Sequence, residues 1–471
     1  KVWRPGRTLE ATAAGIVLLL AALVAGRFIA QHPTLGPAFT LSGTAIAWLI
    51  IAYGFVASVL PVWMLLCPRD YLSTFMKIGT IALLAIGILI VLPPLKMPAL
   101  TRFIDGTGPV FAGKLFPFAF ITIACGAISG FHALVASGTT PKMLRRETDA
   151  PLIGYGGMLM ESFVAVMALC AAAVLDPGVY FAINAPLGVL GGNLQAAAET
   201  IRGWGFAVTP EQMQGLTTAV GERSLLGRVG GAPSLAVGMA QIFAGAFGAS
   251  LTALWYHFAV MFEALFILTT VDTGTRVGRF MLQELGGHVW KPLGRTSWYP
   301  SIILTSALVV AGWGYFLLQG VVDPLGGINT LWPLFGISNQ LLAAVALCVG
   351  TTVLVKSGRG RYAWTTLAPL AWLLAVTLSA GWIKIFSPEP RLGFLAHARQ
   401  TLELVAGGTM DPVTGARLVF NDRLDAAVAA IFMAVVLLVV VSSVRVWLDV
   451  YRGRIPAHTV EAPVVQTALA S

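Results

Sequence analysis

Charged residues are scarce in this chain. Asp, Glu, Lys and Arg make up 11% of its 471 residues, against 57% hydrophobic ones, and the mean hydropathy is +0.82. A soluble domain of this size has no way to bury so much apolar surface, so the bilayer is its solvent and a water-soluble enzyme is excluded. Cysteine is scarce too. Cys67, Cys125, Cys170 and Cys348 are far apart and form no Cys-x-x-Cys pair, which argues against a zinc ribbon or redox pair and for small buried hydrophobes. There is no His-Glu-x-x-His and no Gly-x-Ser-x-Gly. Gly108-x-x-x-x-Gly113-Lys114 has P-loop spacing, but Leu115 stands where the magnesium-binding hydroxyl belongs and no strand precedes it. The expectation is therefore no enzyme, no cofactor, no metal and no ATP. Low-complexity linkers and soluble appendages are also missing. The chain begins at Lys1 without methionine or signal peptide, so upstream residues are expected to lie outside it.

What is present is a series of apolar runs. A spanning helix needs roughly 20 apolar residues. Candidates lie at 9–30, 43–66, 73–92, 115–137, 153–175, 250–272, 301–318, 331–355, 364–382 and 424–447, with a short run at 234–247 after Pro233. The net charge of +9 would suggest nucleic acid in a soluble protein. Here the basic residues cluster between runs, which sets orientation instead and excludes a nucleic-acid partner. Ten crossings with both ends inside put every cluster on the cytoplasmic side, including Arg69, Lys142/Arg145/Arg146 and a loop carrying Arg276, Arg279, Lys291 and Arg295. The run 234–247 is then re-entrant. The loops 176–231 and 383–423 become extracytoplasmic and able to carry short surface helices. Residues 1–455 form one transmembrane domain, and 456–471 a short cytoplasmic tail.

Several polar groups interrupt these runs, and at membrane depth they usually line a pathway. The segment 115–144 is too broken for one regular helix: Gly126, Ser129-Gly130 and Ser137-Gly138 permit unwinding, and Pro141 ends the ladder. Unwinding frees backbone N–H and C=O groups that can hold a substrate carboxylate or a cation. Gly126-x-x-x-Gly130 also fits close helix packing. His132 follows Ser129 on roughly the same face. Glu161 and Glu263 are the carboxylates deepest in apolar runs, at least about eight residues or roughly 12 Å from a helix end, and are candidates for proton coupling. His257 lies about 120° around the helix from Glu263, so the two are not expected to pair. Asp272 fits a cap, an ion pair or a coupling site equally. Asn339 and Gln340 place two amides inside a helix, where they bond either a substrate or a neighbouring helix.

The same residues carry a family resemblance. Ile123-Ala-Cys-Gly-Ala-Ile-Ser-Gly-Phe-His-Ala-Leu-Val-Ala-Ser-Gly-Thr-Thr-Pro-Lys142 and Ile153-Gly-Tyr-Gly-Gly-Met-Leu-Met-Glu-Ser-Phe163 resemble the carbon starvation protein A family. So do Trp255-Tyr-His-Phe-Ala-Val-Met-Phe-Glu-Ala-Leu-Phe266, Asp272-Thr-Gly-Thr-Arg276 and Leu331-Trp-Pro-Leu-Phe-Gly-Ile-Ser-Asn-Gln340. The resemblance implies a multi-pass bacterial inner-membrane carrier for pyruvate or small peptides, used in carbon starvation. It also implies kinship with the amino acid–polyamine–organocation superfamily and its LeuT-like inverted-repeat core. On that analogy 115–144 is the broken first helix of the second repeat, and Ser129, Gly130, His132 and Ser137 face the substrate. The family's upstream glycine- and histidine-rich segment is not found in this sequence, so half of the expected site would lie outside it.

The reading is an all-α polytopic bundle acting as a secondary transporter by alternating access. Ser129, Gly130, His132, Ser137, Thr139, Asn339 and Gln340 are the expected substrate residues, and Glu161, Glu263, His257 and Asp272 the expected coupling residues. Pyruvate or short peptides are the expected substrates, protons (sodium being the other ion considered) the driving partner, and lipid the surroundings. A gradient-independent facilitator and a membrane sensor are the alternatives. Oligomeric state stays open.

Overall fold

The structure is a computed structural model describing residues 8–138, 140–142, 144–322 and 331–457. Every regular element among them is helical. In chain order they are α1 (Thr8–Gln31), α2 (Leu35–Phe39), α3 (Gly43–Val59), α4 (Leu66–Val91), α5 (Leu115–Ile123), α6 (Gly130–Gly138) and α7 (Ala150–Ala173). Four short helices follow, α8 (Pro177–Asn184), α9 (Leu187–Leu190), α10 (Leu194–Gly203) and α11 (Pro210–Val220). The rest are α12 (Ala232–Phe247), α13 (Thr252–Val289), α14 (Tyr299–Val322), α15 (Leu331–Lys356), α16 (Trp364–Phe386), α17 (Phe394–Ala406) and α18 (Pro412–Tyr451).

Among the described residues, eight helices are long and apolar enough to cross a bilayer: α1, α4, α7, α13, α14, α15, α16 and α18. The other two predicted crossings differ in form. Helix α3 stops at Val59 because Leu60 precedes Pro61 and is extended (φ −66°, ψ 148°), leaving 17 residues in place of the expected 24. The run 115–137 is two short helices, α5 and α6, separated by a 3₁₀ turn at Ala124–Gly126. Contacts divide the chain into two compact units. One contains residues 1–102 and 135–328, the other 103–134 and 329–471.

In the first unit α12 packs against α4, α7, α8 and α13. Small residues let it do so. A Cβ on Gly238 would lie 2.0 Å from the Ala171 carbonyl oxygen of α7, so only glycine permits that approach. Helices α3 and α14 meet similarly: Gly54 faces Trp313, and the buried hydroxyls of Ser58 and Ser306 bond at 2.9 Å. The short helices of 176–231 are capped locally, with Asn193 accepting from Ala196 N–H at 2.8 Å and Thr209 from Gln212 N–H at 3.1 Å. Helix α8 is largely buried rather than a surface element.

One expectation is overturned in this unit. Arg276 and Arg279 do not sit in a cytoplasmic loop, because α13 continues through them to Val289 and buries both. Their guanidinium groups donate to the orphan carbonyls at the end of α3: Arg276 to Ala57 and Leu60, Arg279 to Ser58 at 2.6 Å. These four-carbonyl helix ends require partners, and cations suit the negative end of a helix dipole.

In the second unit α15 packs against α5, α16 and α18. Its core includes Phe118, Ile121, Ile337, Leu341, Ala344, Cys348 and Trp447. Polar bonds tie the helices together inside that core. Trp447 donates to Thr352 Oγ1 at 2.8 Å, and the hydroxyls of Thr351 and Thr366 bond at 2.7 Å.

The contact between α7 and α12 gives a direct prediction. Gly238→Ala has no room and is expected to destabilise the protein by about 1–3 kcal/mol. Gly215→Ala, in open space on α11, is expected to stabilise it by about 0.4–1 kcal/mol. Thermal unfolding in detergent checks both signs.

Candidate substrate site at a helix break

The break between α5 and α6 is the most elaborated polar feature of the second unit. Ser129 is the residue before α6, and its hydroxyl accepts from His132 N–H at 3.2 Å, the pattern of an N-cap. Phe131 N–H donates to Asn339 Oδ1 at 2.9 Å, and the Ser129 hydroxyl reaches the same oxygen at 3.4 Å. On the other side of the break Gln340 Nε2 donates to the Phe120 carbonyl at 2.8 Å. Trp332 Nε1 donates to the Thr122 carbonyl at 3.3 Å. Two adjacent amides on α15 therefore hold the start of one half-helix and the end of the other.

The glycines explain how α15 comes so close. A Cβ on Gly130 would lie 2.4 Å from the Asn339 carbonyl oxygen, and one on Gly336 would lie 2.4 Å from that of Ile121. The break and α15 are thus in backbone contact on both sides. This changes the expectation for a bound anion. The N–H groups of Phe131 and His132, expected to be free for a substrate, are already engaged. The donor left over is Asn339 Nδ2, which is buried and has no hydrogen-bond partner among the described residues. An orphan buried donor requires an explanation, and a ligand oxygen is one.

The His132 ring is exposed, with Nδ1 3.6 Å from Cys125 Sγ. Ser137 lies about two turns further along α6. Thr139 lies outside the described residues. Glu161 on α7 and Glu263 on α13 are both half-buried in the first unit, on different helices. His257 is exposed on α13, near Gly221.

Asp272 is fully buried and heavily engaged. It forms an ion pair with Arg69, and the Tyr53 hydroxyl donates to its Oδ2 at 2.9 Å. Arg69 in turn donates to Tyr53 and to Asp70, the latter at 2.6 Å, while Lys77 donates to Thr269 at 2.7 Å. Sequence reasoning missed Tyr53 and misassigned Arg69 to a loop cluster. The available signal was that Arg69 follows the apolar run 43–66 after only Cys67 and Pro68, with no long polar loop between.

Comparison with known proteins adds to this geometry. A model of the family described as carbon starvation protein CstA matches residues 1–380. A peptide transporter CstA of Escherichia coli (strain K12) is 56% identical over 94% of this chain and 64% of its own length. The peptide transporter CstA of Helicobacter pylori (strain J99) is 49% identical over 99% of this chain and 69% of its own. The pyruvate/proton symporter BtsT of Escherichia coli (strain K12) is 49% identical over 95% of this chain and 66% of its own. The chain spans about two thirds of the length of these relatives. No solved structure matches it.

The clamp on the break is testable. Asn339→Ala leaves Phe131 N–H unpaired at a partly buried site and is expected to cost about 1–3 kcal/mol. Ser338→Ala, one position earlier, removes a buried hydroxyl that has no partner among the described residues and is expected to cost nothing or to stabilise slightly. Unfolding midpoints of the two variants, compared side by side, decide whether the bond or mere burial carries the effect.

Proposed function

This chain belongs to the carbon starvation protein CstA family, and from that premise we propose that it is the greater part of a proton-coupled carrier for pyruvate or small peptides. The carrier works by alternating access in the bacterial inner membrane. The observation that carries the reading is the helix break with an orphan amide donor, Asn339 Nδ2, beside it. A discontinuous helix needs irregular backbone at membrane depth, which is tolerated where it lines a cavity. Asn339 Nδ2 is the group best suited to a substrate carboxylate there, because the nearby backbone donors are occupied. Ser129 and Gly130 then act by shaping the break, and Gln340 by holding its far side. Both a pyruvate and a peptide C-terminus present the carboxylate this donor would meet.

The proposed architecture is a LeuT-like core, with α5 and α6 as one of its broken helices. Glu161 and Glu263 are the proposed proton-coupling carboxylates, each half-buried in an apolar helix. Asp272 is better read as structural, since Arg69 and Tyr53 already occupy it. The relatives named as peptide transporter and as pyruvate/proton symporter support substrate and ion together.

Labelled pyruvate uptake into proteoliposomes of the full-length protein, with and without an inward proton gradient, tests the proposal. Accumulation driven by the gradient and reduced by a competing dipeptide is the expected result. Counterflow with no stimulation by a gradient would instead mark a facilitator, and binding without flux a sensor. Replacing Glu161 and Glu263 together by Gln is expected to abolish gradient stimulation. Unchanged pH dependence in that double variant removes both from the coupling step.

A further inference from the structure

Helix α15 ends in a tight turn that leaves two arginines unspent on the backbone. Arg359 N–H donates to the Leu354 carbonyl at 2.9 Å, and Gly358 N–H to that of Val355 at 3.3 Å. Gly358 adopts φ +73°, the left-handed conformation that such a cap requires. A 3₁₀ turn at Gly360–Tyr362 then leads into α16. Tyr362 N–H donates to the Arg359 carbonyl at 2.9 Å, and Ala363 N–H to that of Gly360 at 3.0 Å. Backbone bonds therefore close the turn, and neither the Arg359 nor the Arg361 guanidinium bonds a carbonyl among the described residues. Arg276 and Arg279 are the contrast, since the end of α3 engages both.

The end of α18 lies against this turn. The Tyr451 hydroxyl donates to the Gly360 carbonyl at 3.4 Å, and a Cβ on Gly360 would lie 2.7 Å from that hydroxyl oxygen. One turn earlier on α18, Trp447 is bonded to Thr352 of α15. Leu354, Gly358, Arg359, Arg361 and Tyr362 line an open cleft of about 620 Å³ at this place.

Charge in and around the cleft is of one sign. Lys356, Arg359 and Arg361 lie at the turn, and Arg445, Arg452 and Arg454 at the end of α18. Within residues 331–386 and 426–457 the one acid is Asp449, and Arg454 pairs with it at 3.3 Å. Arg359 and Arg361 have no carboxylate partner among the described residues. Arg361 is nonetheless held in place. Its guanidinium lies over the Tyr362 ring, 4.6 Å from the centroid, and donates to the Tyr362 hydroxyl at 2.6 Å. A guanidinium fixed in this way loses little freedom on binding, and its fork matches two oxygens of a phosphate.

Depth decides the kind of anion. The turn directly joins α15 and α16, both long and apolar enough to cross a bilayer, so it sits at headgroup level. The neighbouring surface is apolar. Val349 and Val353 share one face of α15 and are 59% and 60% exposed. Trp364, the first residue of α16, is 68% exposed, and tryptophan favours the membrane–water interface. Fixed cations beside exposed apolar surface match an amphiphile, whereas a soluble anion would use the cations alone.

We infer that the α15–α16 turn and the end of α18 form a binding site for one anionic phospholipid. Arg359 and Arg361 take the headgroup phosphate, and the acyl chains run along Val349, Val353 and Trp364. On the orientation given by the basic clusters, this lipid belongs to the cytoplasmic leaflet. The site is separate from the helix break and does not depend on which substrate or ion is carried.

Native mass spectra of the purified full-length protein in neutral detergent, titrated with phosphatidylglycerol or with phosphatidylcholine, test the site. A phosphatidylglycerol adduct that persists where the phosphatidylcholine adduct is lost is expected, and equal retention of the two overturns the proposal. Arg359→Ala/Arg361→Ala is expected to weaken the phosphatidylglycerol adduct about thirty-fold, since two cations at the surface are removed. Lys291→Ala/Arg295→Ala removes two exposed cations between α13 and α14 and is expected to leave the adduct unchanged. Equal weakening by both pairs overturns the site in favour of diffuse attraction, and no weakening by the first pair overturns it outright. Arg359→Lys/Arg361→Lys keeps the charge but loses the planar fork, and binding weaker than the parent's is expected. Binding equal to the parent's in that variant overturns a shaped phosphate site. Millimolar inorganic phosphate is expected to leave the lipid adduct in place. Its displacement by phosphate would mark a soluble-anion site and overturn the lipid assignment.

Discussion

The constraint on which this structure depends is that a backbone polar group inside a membrane has no water to turn to. Each place where a helix stops or breaks in the apolar interior must therefore be answered by another part of the chain. At the α5–α6 break the answers are Asn339, Gln340, Trp332 and the Ser129 hydroxyl. At the end of α3 they are Arg276 and Arg279. At the end of α7 they are backbone groups: Lys96 and Met97 N–H both donate to the Ala173 carbonyl, at 2.8 and 3.2 Å. A polar residue in an apolar run is thus first a partner for the backbone. Only what remains after that accounting is available to a ligand.

That accounting narrows the substrate site. A broken helix looks from sequence like a row of free donors, but a break with free donors would be expensive to keep when no substrate is bound. Capping by Ser129 and Asn339 removes that cost and fixes the angle of α6. The Asn339 amide is used on its oxygen side and left unused on its nitrogen side. One residue therefore both closes the backbone and presents a donor, so it links the fold of the break to the chemistry proposed for it. Gly130 is the condition for this, since any side chain there would collide with the α15 backbone.

Much of the helical layout was legible in the sequence, because hydropathy reports burial in lipid directly. The run read at 331–355 is α15 almost to the residue, and that at 153–175 is α7 shifted by three at its start. The break at Ser129-Gly130 was legible from glycine and hydroxyl chemistry. Its partner was not, since Asn339 lies 208 residues from Phe131 and nothing local points to it. The reading of Arg276 and Arg279 failed for a related reason. A positively charged residue is assigned to a loop because its desolvation looks prohibitive, but three carbonyls at a helix end compensate for it. Lys384 was hidden the same way. The apolar window was closed at Trp382, yet α16 runs to Phe386 and carries the lysine inside.

The buried charges around Asp272 also show why depth alone is a poor guide to a coupling site. Among the described residues Asp272 is the most deeply buried acid, but the guanidinium groups of Arg69 and Arg276 both act on it, and Tyr53 donates to it. A carboxylate there is charge-compensated as it stands, and adding a proton would strand cations instead.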